Sequence, residues 1–241
     1  MTGDDARRRM LASLEFQARF DSRLRDIDAA EGFDVRFGVD TDTPVELWDI
    51  AGADGAALRY ASRYSPTPVR TIRAVIRACP VAYEDVSFVD FGSGKGRVML
   101  VASEFPFRAV HGVEFSAGLC ETAEANLRRY RSDDQRCDAF RVHCQDAAEF
   151  TLPEDAGVCY FYEPFAPQVA ERVMDNIERS LGEHPRKMVL CFVGRGWKPV
   201  DEKAGTVSSV VCDRPPWQEC ADMVTSPDEG FYDARLYTNE L

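Results

Sequence analysis

Three glycines at alternate positions follow an acidic residue in the stretch FVDFGSGKGRVML, residues 88–100. The acidic residue is Asp90, and the glycines are Gly92, Gly94 and Gly96. A glycine-rich turn between an apolar strand and a helix lets the backbone approach a ligand closely. The pattern is not the dinucleotide fingerprint, because Arg97 stands where the third glycine would fall. It is not a P-loop either, because the required upstream glycine is missing. The stretch therefore predicts a cofactor turn of another kind.

The charge of Asp90 narrows the choice of ligand. A carboxylate beside the turn repels a pyrophosphate and attracts a cationic group. S-adenosylmethionine carries a sulfonium and an ammonium group and has no phosphate, and backbone N–H groups at a helix start can meet its carboxylate. The alternative, a purely structural strand-to-helix turn, explains one or two glycines but not an acidic residue followed by three. We therefore expect the turn to bind S-adenosylmethionine.

The segment VDFGSGKG, residues 89–96, resembles the first motif of class I S-adenosylmethionine-dependent methyltransferases. The resemblance to class I enzymes extends over about residues 60–195, and the longer signature DFGSGKGR resembles that of a bacterial subgroup of these enzymes. It implies a Rossmann-like α/β fold, methyltransferase activity and S-adenosylmethionine as the cofactor. The cofactor-binding residues implied in this loop are Asp90, Phe91, Gly92, Ser93, Gly94 and Gly96.

Two further acidic residues follow predicted strands. Glu114 lies 24 residues after Asp90, the separation expected when one helix joins adjacent parallel strands. By resemblance its carboxylate accepts both ribose hydroxyls, and Phe115 is placed to lie against the adenine; a helix-capping role is the alternative for Glu114. Asp146 follows the next strand. By resemblance it receives the adenine amino group while Ala147 offers backbone to the ring, and an ordinary helix N-cap is its alternative.

The motif FYEPF, residues 161–165, ends the fourth predicted strand. It is similar to the Asn- or Asp-Pro-Pro-aromatic motif of methyltransferases that act on nitrogen, where side-chain and backbone oxygens orient the acceptor amine. Here Glu163 replaces the shorter residue, and only one proline follows. We expect Glu163 to bind a protonated amine, to remove its proton or to contact the methionine part of the cofactor, with Tyr160 and Tyr162 as weaker base candidates. The alternative is a Glu-Pro pair that merely ends the strand.

Upstream, RYSPTP at residues 63–68 resembles a Tyr-x-Pro-Thr segment found before the first strand in the same bacterial subgroup. This resemblance places Tyr64 and Thr67 near the methionine end of the cofactor, with the Tyr64 ring covering the sulfonium through a cation–π contact. The alternative is a turn that leads into a proline-started helix.

The spacing of apolar residues predicts two N-terminal helices. The first covers residues 5–30 and carries on one face Phe16, Phe20, Leu24 and Ile27. We expect this face to pack on the main domain, and a lid or a homodimer contact is the alternative. A second helix starts after Pro66 or Pro68 and ends near Cys79. The predicted organisation is an N-terminal helical arm and connector over residues 1–65 and a methyltransferase domain over residues 66–241.

The remainder of the chain alternates between strands and helices. This alternation predicts a doubly wound, mostly parallel sheet with helices on both faces. Near the C-terminus, TVSSVVCD at residues 206–213 and FYDARLYTN at residues 231–239 look like strands with no helix between them. Strands joined without a crossover helix are expected to form an antiparallel hairpin at one sheet edge.

Composition limits the class of protein and its partners. The chain has 241 residues and a formal net charge of −12, which fits one α/β domain with an appended piece. The charge disfavours a nucleic-acid partner, because phosphate neutralisation needs clustered Lys and Arg. Eight cysteines without a C-x-x-C pair and three separated histidines predict no metal site. The N-terminus lacks a signal-peptide core and no stretch reaches membrane-spanning length, so we expect a cytoplasmic protein with no membrane partner.

The acceptor is expected to be selected outside the regular alternation, by the N-terminal helices and residues 194–230. The latter segment contains Trp197, Trp217 and the Pro215–Pro216 pair, which either line an acceptor pocket or form a satellite core. We predict methyl transfer to a small-molecule acceptor, foremost a nitrogen of a peptide-derived or other natural product, with oxygen or an indole carbon as further options. The alternative is a protein-lysine methyltransferase of the non-SET type, whose cofactor loop the signature also resembles. A non-enzymatic partner is disfavoured because the binding motifs are intact.

Overall fold

The computed structural model describes residues 3–50, 60–195, 210–211, 214–224 and 232–239, with the side chains of residues 3–14, 16–17, 195 and 222–224 excepted. Its helices are α1 (Gly3–Glu31), α2 (Phe33–Phe37), α3 (Val69–Arg77), α4 (Arg97–Ala102), α5 (Ala117–Arg129) and α6 (Pro167–Glu183). Its strands are β1 (Ser87–Phe91), β2 (Val110–Glu114), β3 (Phe140–Cys144), β4 (Ala156–Tyr162), β5 (Val189–Arg195), β6 (Trp217–Val224) and β7 (Tyr232–Asn239). None of the helices described here has the length and apolar character of a bilayer span.

The strands form one seven-stranded sheet in the order β3-β2-β1-β4-β5-β7-β6. Strands β1 to β5 are parallel, whereas β7 runs antiparallel to β5 and β6 runs antiparallel to β7. The strand order reverses between β1 and β4, and such a reversal leaves a ligand crevice at the carboxyl ends of the strands. The predicted fold, a Rossmann-like doubly wound sheet with an antiparallel hairpin at one edge, is confirmed.

Strand β4 illustrates why helices cover both faces of the sheet. Its alternate residues Val158 and Tyr160 join one buried apolar cluster with residues of α3 and α4. The intervening Cys159 and Phe161 join a second cluster with residues of α6. Because residues 156–161 are all buried, the strand has the continuous apolar character typical of a parallel sheet that is covered on both sides.

The N-terminal helix packs on the domain, as the apolar spacing predicts. Phe20, Leu24 and Ile27 of α1 are buried. The ring centroid of Phe20 lies 5.8 Å from that of Tyr232 in β7. The side chain of Phe16, the fourth residue predicted on this face, lies outside the described residues. The arm is therefore part of the folded body along its second half.

The first strand of the C-terminal hairpin lies further along the chain than predicted. The sequence favoured residues 206–213, but β6 spans Trp217–Val224. Residues 210–211 form a turn, and the rest of the predicted strand lies outside the described residues. The apolar signal of β6 is weak because it is an edge strand whose residues 218–220 are exposed.

Trp217 belongs to the core and not to an acceptor pocket. Its side chain is buried in the apolar cluster that α6 forms with one face of the sheet. The indole N–H donates to Glu178 of α6 at 3.2 Å, and such a partner is what a buried tryptophan requires. Trp197, the other tryptophan proposed for the pocket, lies outside the described residues.

Candidate active site

A cavity of about 570 Å³ opens at the carboxyl ends of the central strands. Its volume falls within the range of about 300–1,000 Å³ that small-molecule sites occupy. Most of the residues predicted from the sequence line it, namely Tyr64, Thr67, Asp90, Gly92, Ser93, Gly94, Glu114, Phe115, Asp146 and Ala147. The other three predicted residues, Phe91, Gly96 and Glu163, do not line it.

The glycine loop between β1 and α4 follows a path that favours glycine. Gly92 and Gly94 have φ angles of 78° and 52°, in the left-handed region that other residues rarely adopt. A Cβ on Gly92 would lie 2.4 Å from the Cβ of Pro164, and one on Gly94 would lie 2.3 Å from the ring of Tyr64. The loop is therefore packed against two segments distant in sequence, and this packing brings both of them to the cavity.

Phe91 and Gly96, which do not line the cavity, have packing roles within the protein, and their predicted contact with the cofactor stays a prediction. Side chains alternate between the two faces along a strand, so Phe91 points away from Asp90. Its ring stacks on that of Phe161 with centroids 4.9 Å apart. At Gly96, where α4 begins, a Cβ would meet the Cβ of Ala123 on α5 at 3.2 Å. Gly96 therefore permits close approach of two helices.

Asp90 presents a buried carboxylate oxygen that has no protein partner. The residue is 2% exposed, and its Oδ2 has no hydrogen-bond partner among the described residues. Burial, and secondarily the charge of Glu114, raise the pKa of Asp90 well above its usual value. A buried acid oxygen at a cavity wall is unfavourable unless a ligand pairs with it. A cationic group fits this position.

Both carboxylate oxygens of Glu114 are held by backbone groups. Its Oε2 accepts a hydrogen bond from the N–H of Gly94 at 3.0 Å, and its Oε1 accepts one from the N–H of Ser116 at 2.9 Å. Burial raises the pKa of Glu114, although these backbone N–H groups oppose the rise. Because a carboxylate offers about four lone-pair sites, Glu114 can accept two more donors from the cavity. Two neighbouring hydroxyls fit this capacity.

One end of the cavity has an apolar wall with a polar edge. Phe115, Ala147 and Val169 supply the apolar surface. Asp146 accepts a hydrogen bond from the N–H two residues further on at 2.9 Å, which is the predicted N-cap alternative. Its other carboxylate oxygen lies 3.8 Å from Nη1 of Arg172. Val169 and Arg172 were missed from the sequence, and their spacing along α6 was the available signal.

Residues 60–67, here called the strap, all line the cavity. The N–H of Ser62 donates to the carbonyl of Pro164 at 3.2 Å, and the N–H of Ala166 donates to the carbonyl of Tyr60 at 2.8 Å. The strap therefore pairs with the segment after β4 as a short antiparallel strand would. The sequence had indicated only two residues of the strap, because this pairing joins segments about a hundred residues apart.

Polar side chains line the cavity where the strap meets the glycine loop. The hydroxyl oxygens of Ser65 and Ser93 are buried without a hydrogen-bond partner among the described residues. Burial raises the pKa of Tyr64, which keeps its hydroxyl protonated, and that hydroxyl donates to the carbonyl of Thr41 at 2.7 Å. The ammonium of Lys95 lies 5.7 Å from the centroid of the Tyr64 ring. This end of the cavity suits a polar ligand group.

The structure corrects the predicted position of the Glu163 side chain. Glu163 has a φ of 39°, which is uncommon outside glycine. The resulting turn leaves Tyr162 and Pro164 on the cavity wall. The Glu163 carboxylate lies against Gly194: a Cβ added to Gly194 would be 3.1 Å from Oε1 of Glu163. The same added Cβ would be 3.2 Å from Oδ1 of Asp233. In this arrangement the Glu163 carboxylate does not lie on the cavity wall, and its predicted contact with an acceptor or a cofactor stays a prediction.

Gly94→Ala is expected to lower the Tm more than Gly38→Ala. Both glycines have positive φ, 52° and 65°, so each substitution costs about 1 kcal/mol in backbone strain. A Cβ at Gly38 would meet nothing within 4 Å, but one at Gly94 would overlap the Tyr64 ring. This overlap adds about 1–3 kcal/mol. Thermal unfolding of both variants measures the difference, and equal shifts would contradict the packing of Tyr64 on the loop.

Comparisons with known proteins agree with this geometry. Residues 61–152 match a family model described as histone methylation protein DOT1. The chain is 25% identical over 141 residues to a protein-lysine N-methyltransferase of Saccharolobus islandicus, spanning 56% of this chain and 80% of that protein. A methyltransferase structure from Leishmania major matches with a TM-score of 0.52 and 12% identity over 70% of each chain. The glycopeptide N-methyltransferase MtfA, solved with S-adenosylmethionine, matches with a TM-score of 0.50 and 12% identity over 70% of this chain and 92% of that chain.

The fold, the site and these likenesses converge on one class of protein. The solved structures share the sheet architecture, and the family match covers the glycine loop, Glu114 and Asp146. The unpartnered oxygen of Asp90 lies beside that loop and fits a cationic ligand. The chain has the fold of the class I S-adenosylmethionine-dependent methyltransferases, and it is an S-adenosylmethionine-dependent methyltransferase. S-adenosylmethionine is its cofactor.

Proposed function

We propose that this enzyme transfers a methyl group to a nitrogen of a small-molecule acceptor, such as a peptide-derived or other natural product. Oxygen and an indole carbon are less favoured acceptor atoms. The observation that supports this proposal best is the strap, which lines the cavity and is bonded to residues 164–166. A site that is covered in part by a segment of the chain suits a compact acceptor better than a large folded surface. The charge of −12 disfavours a nucleic acid.

The signature DFGSGKGR supports placing the chain in the bacterial subgroup named above. A cytoplasmic location and a homodimer contact through α1 stay predictions of the sequence. So does the division into an arm over residues 1–65 and a catalytic domain over residues 66–241.

The residues of the cavity wall would supply partners for the cationic end, the ribose and the adenine of the cofactor. Asp90 would pair with its cationic methionine end, while Glu114 would accept hydrogen bonds from its ribose hydroxyls. Phe115 and Val169 would enclose the adenine, and Asp146 would accept from the adenine amino group. When bound, the cofactor supplies an electrophilic methyl group on a sulfonium that is already a good leaving group. The protein then acts mainly by aligning the acceptor in a site that excludes water.

Aromatic side chains outside the predicted cofactor residues form part of the cavity wall. They are Tyr60, Tyr162 and Phe165. Aromatic faces stack on planar acceptors and attract alkylammonium groups. An amine that arrives neutral needs no protein base. The proposed role of these residues is therefore to orient the acceptor nitrogen toward the methyl group.

Glu163→Gln is expected to leave kcat near the wild-type value. The reason is that the carboxylate lies against Gly194 and not on the cavity wall. Removal of a true general base would instead slow turnover by about 100- to 10,000-fold. Steady-state methylation of the identified acceptor measures kcat, with cofactor affinity measured in parallel. A decrease in kcat of that size, with unchanged cofactor affinity, would instead show that Glu163 acts in the reaction.

A second candidate function, protein-lysine methylation, is favoured by a different observation. The matching family is described as a histone methylation protein, and the relative from Saccharolobus islandicus is described as a protein-lysine N-methyltransferase. A charge of −12 would also suit a basic peptide. We rank this function second because the family match ends at residue 152, before β4 and the aromatic wall that follows it.

Incubation of methyl-labelled S-adenosylmethionine with the purified protein and an extract of the source cells separates the two functions. The products are fractionated by size before counting. Label in small molecules supports the proposed function, and label on protein supports lysine methylation. Glu114→Ala, expected to bind the cofactor poorly, serves as the background. Incorporation no higher than this background in either fraction would contradict both functions.

A further inference from the structure

Asn126 of α5 is a buried amide that joins two segments distant in the sequence. It is 0% exposed. Its Oδ1 accepts a hydrogen bond from the N–H of Asp40 at 2.9 Å. Its Nδ2 donates to the carbonyl of Asp40 at 2.8 Å and to the carbonyl of Lys95 at 2.9 Å. Because both donors of the amide are used, Asn126 is satisfied only while the connector and the glycine loop are both in place.

The turn at Asp40 and Thr41 that Asn126 holds makes three more contacts, one with the glycine loop, one with the strap that packs on the loop, and one with the first residue of α4. The Lys95 ammonium donates to Oδ1 of Asp40 at 2.7 Å. The Tyr64 hydroxyl, whose ring covers Gly94, donates to the carbonyl of Thr41 at 2.7 Å. Nε of Arg97 donates to Oγ1 of Thr41 at 2.7 Å. The turn at Asp40 and Thr41 therefore helps to hold the glycine loop in position.

The peptide that Asn126 fixes, Lys95–Gly96, is separated by one peptide unit from the Ser93–Gly94 peptide that holds Glu114. Asn126 binds the carbonyl of Lys95, and the N–H of the preceding residue, Gly94, donates to Oε2 of Glu114 at 3.0 Å. Gly94 and Gly96 have positive φ and no side chain, so the path of the loop depends on contacts made from outside it. A shift of the Lys95 peptide would move the donor that orients Glu114.

We propose that Asn126, with the Asp40 turn that it holds, is a positioning residue of the cofactor site. It fixes the glycine loop so that Gly94 orients the carboxylate of Glu114, with its remaining lone pairs directed into the cavity. This inference rests on the cofactor assignment and not on the identity of the acceptor.

The sequence contains a weak signal for this role. Asn126 falls on the buried face of α5 together with Leu119, Cys120 and Ala123. An asparagine within a helix is mildly unfavourable, and a buried one needs specific partners. The position of Asn126 on the apolar face of the predicted helix therefore indicates a buried polar contact. Which groups it contacts is decided only by the folded structure.

Asn239 provides a matched control for Asn126. It is 4% exposed, its Oδ1 accepts from the N–H of Met188 at 2.7 Å, and its Nδ2 donates to the carbonyl of Arg186 at 2.9 Å. None of these residues lines the cavity. Asn126→Ala and Asn239→Ala are both expected to lower the Tm by several degrees. Only Asn126→Ala is expected to raise the Kd for S-adenosylhomocysteine, by about tenfold.

Isothermal titration calorimetry, at a temperature where both variants are folded, measures the Kd of each variant for S-adenosylhomocysteine. A Kd for Asn126→Ala that equals the Kd for Asn239→Ala would overturn the inference, because a merely structural asparagine lowers stability without changing affinity. A wild-type protein that fails to bind S-adenosylhomocysteine would overturn the cofactor assignment, and this inference with it. That result is distinct from any result on the acceptor.

Asp40→Ala tests the same junction with little risk of misfolding, since the Asp40 side chain is 57% exposed. It removes the ion pair to Lys95 and keeps the backbone bonds to Asn126. We expect a rise in Kd of about two- to fivefold with little change in Tm. If Asn126→Ala does not fold, an unchanged Kd for Asp40→Ala overturns the proposal.

Discussion

Glu114→Ala is expected to raise the Kd for S-adenosylhomocysteine by at least about 100-fold. Two hydrogen bonds from ribose hydroxyls to a carboxylate contribute about 1.5–3 kcal/mol each. Each 1.4 kcal/mol corresponds to about a tenfold change in affinity. The substitution also removes the acceptor for the N–H groups of Gly94 and Ser116, which loosens the glycine loop. Isothermal titration calorimetry measures the change.

Glu31→Ala is the control for Glu114→Ala, because it removes a carboxylate that is bound by two backbone N–H groups but that cannot contact the ribose. The carboxylate of Glu31 also accepts from two backbone N–H groups, those of Val69 at 2.8 Å and Arg70 at 3.0 Å, but Glu31 does not line the cavity. Both substitutions are expected to lower stability, and only Glu114→Ala to lower affinity. Wild-type affinity in Glu114→Ala would exclude it as the ribose acceptor.

Asp90→Asn is expected to stabilise the ligand-free protein and to weaken cofactor binding. The buried Oδ2 of Asp90 has no partner among the described residues, so a neutral amide removes a desolvated charge from the folded state. The same change removes the negative partner of the cofactor's cationic end. A hydrogen bond to a charged group contributes about 1.5–3 kcal/mol, so the Kd should rise by about tenfold or more.

The pH dependence of this effect has a defined sign. Burial first, and the charge of Glu114 second, raise the pKa of Asp90 in the folded state, whereas in the unfolded chain it is about 3.9. A raised carboxyl pKa stabilises the folded state below the unfolded pKa, and this contribution is lost as the pH rises through the folded pKa. The free energy of unfolding of the wild type should therefore fall relative to that of Asp90→Asn as the pH rises above about 4.

Urea unfolding at about pH 5 and about pH 8, without cofactor, measures this difference. The advantage of Asp90→Asn over the wild type is expected to be larger at the higher pH. Asp134→Asn, at an exposed position, is the control and should show little difference at either pH. A gap between Asp90→Asn and the wild type that stays constant with pH would mean that Asp90 does not titrate as a buried acid.

The cofactor side of the site could be predicted because its acidic residues lie at or just beyond the carboxyl ends of strands. A parallel sheet brings the carboxyl ends of its strands to one edge. Apolar runs located β1, β2 and β3, so the acidic residues at or just beyond the ends of these strands, Asp90, Glu114 and Asp146, were expected at one cavity. The cavity wall includes all three. The side chain of Phe91 lies on the opposite face of β1 from that of Asp90, because side chains alternate along a strand.

The acceptor side could not be predicted in the same way, because it depends on contacts between remote segments. The strap meets residues 164–166 through backbone bonds that any sequence can form. The positive φ of Glu163 decides which side chains of its motif face the cavity. This angle could not be predicted, because the residue type of a non-glycine residue does not indicate a positive φ.

The sequence by itself determined the order of strands and helices, the cofactor loop and the acidic residues beyond it, because periodicity and glycine position are local properties of the chain. Only the tertiary structure decided that Glu163 turns away from the cavity, that Trp217 is core and that Asn126 ties Asp40 to the glycine loop. The physical reason is that each of these features is fixed by packing or hydrogen bonds between residues far apart along the chain, and such contacts exist only once the chain has folded.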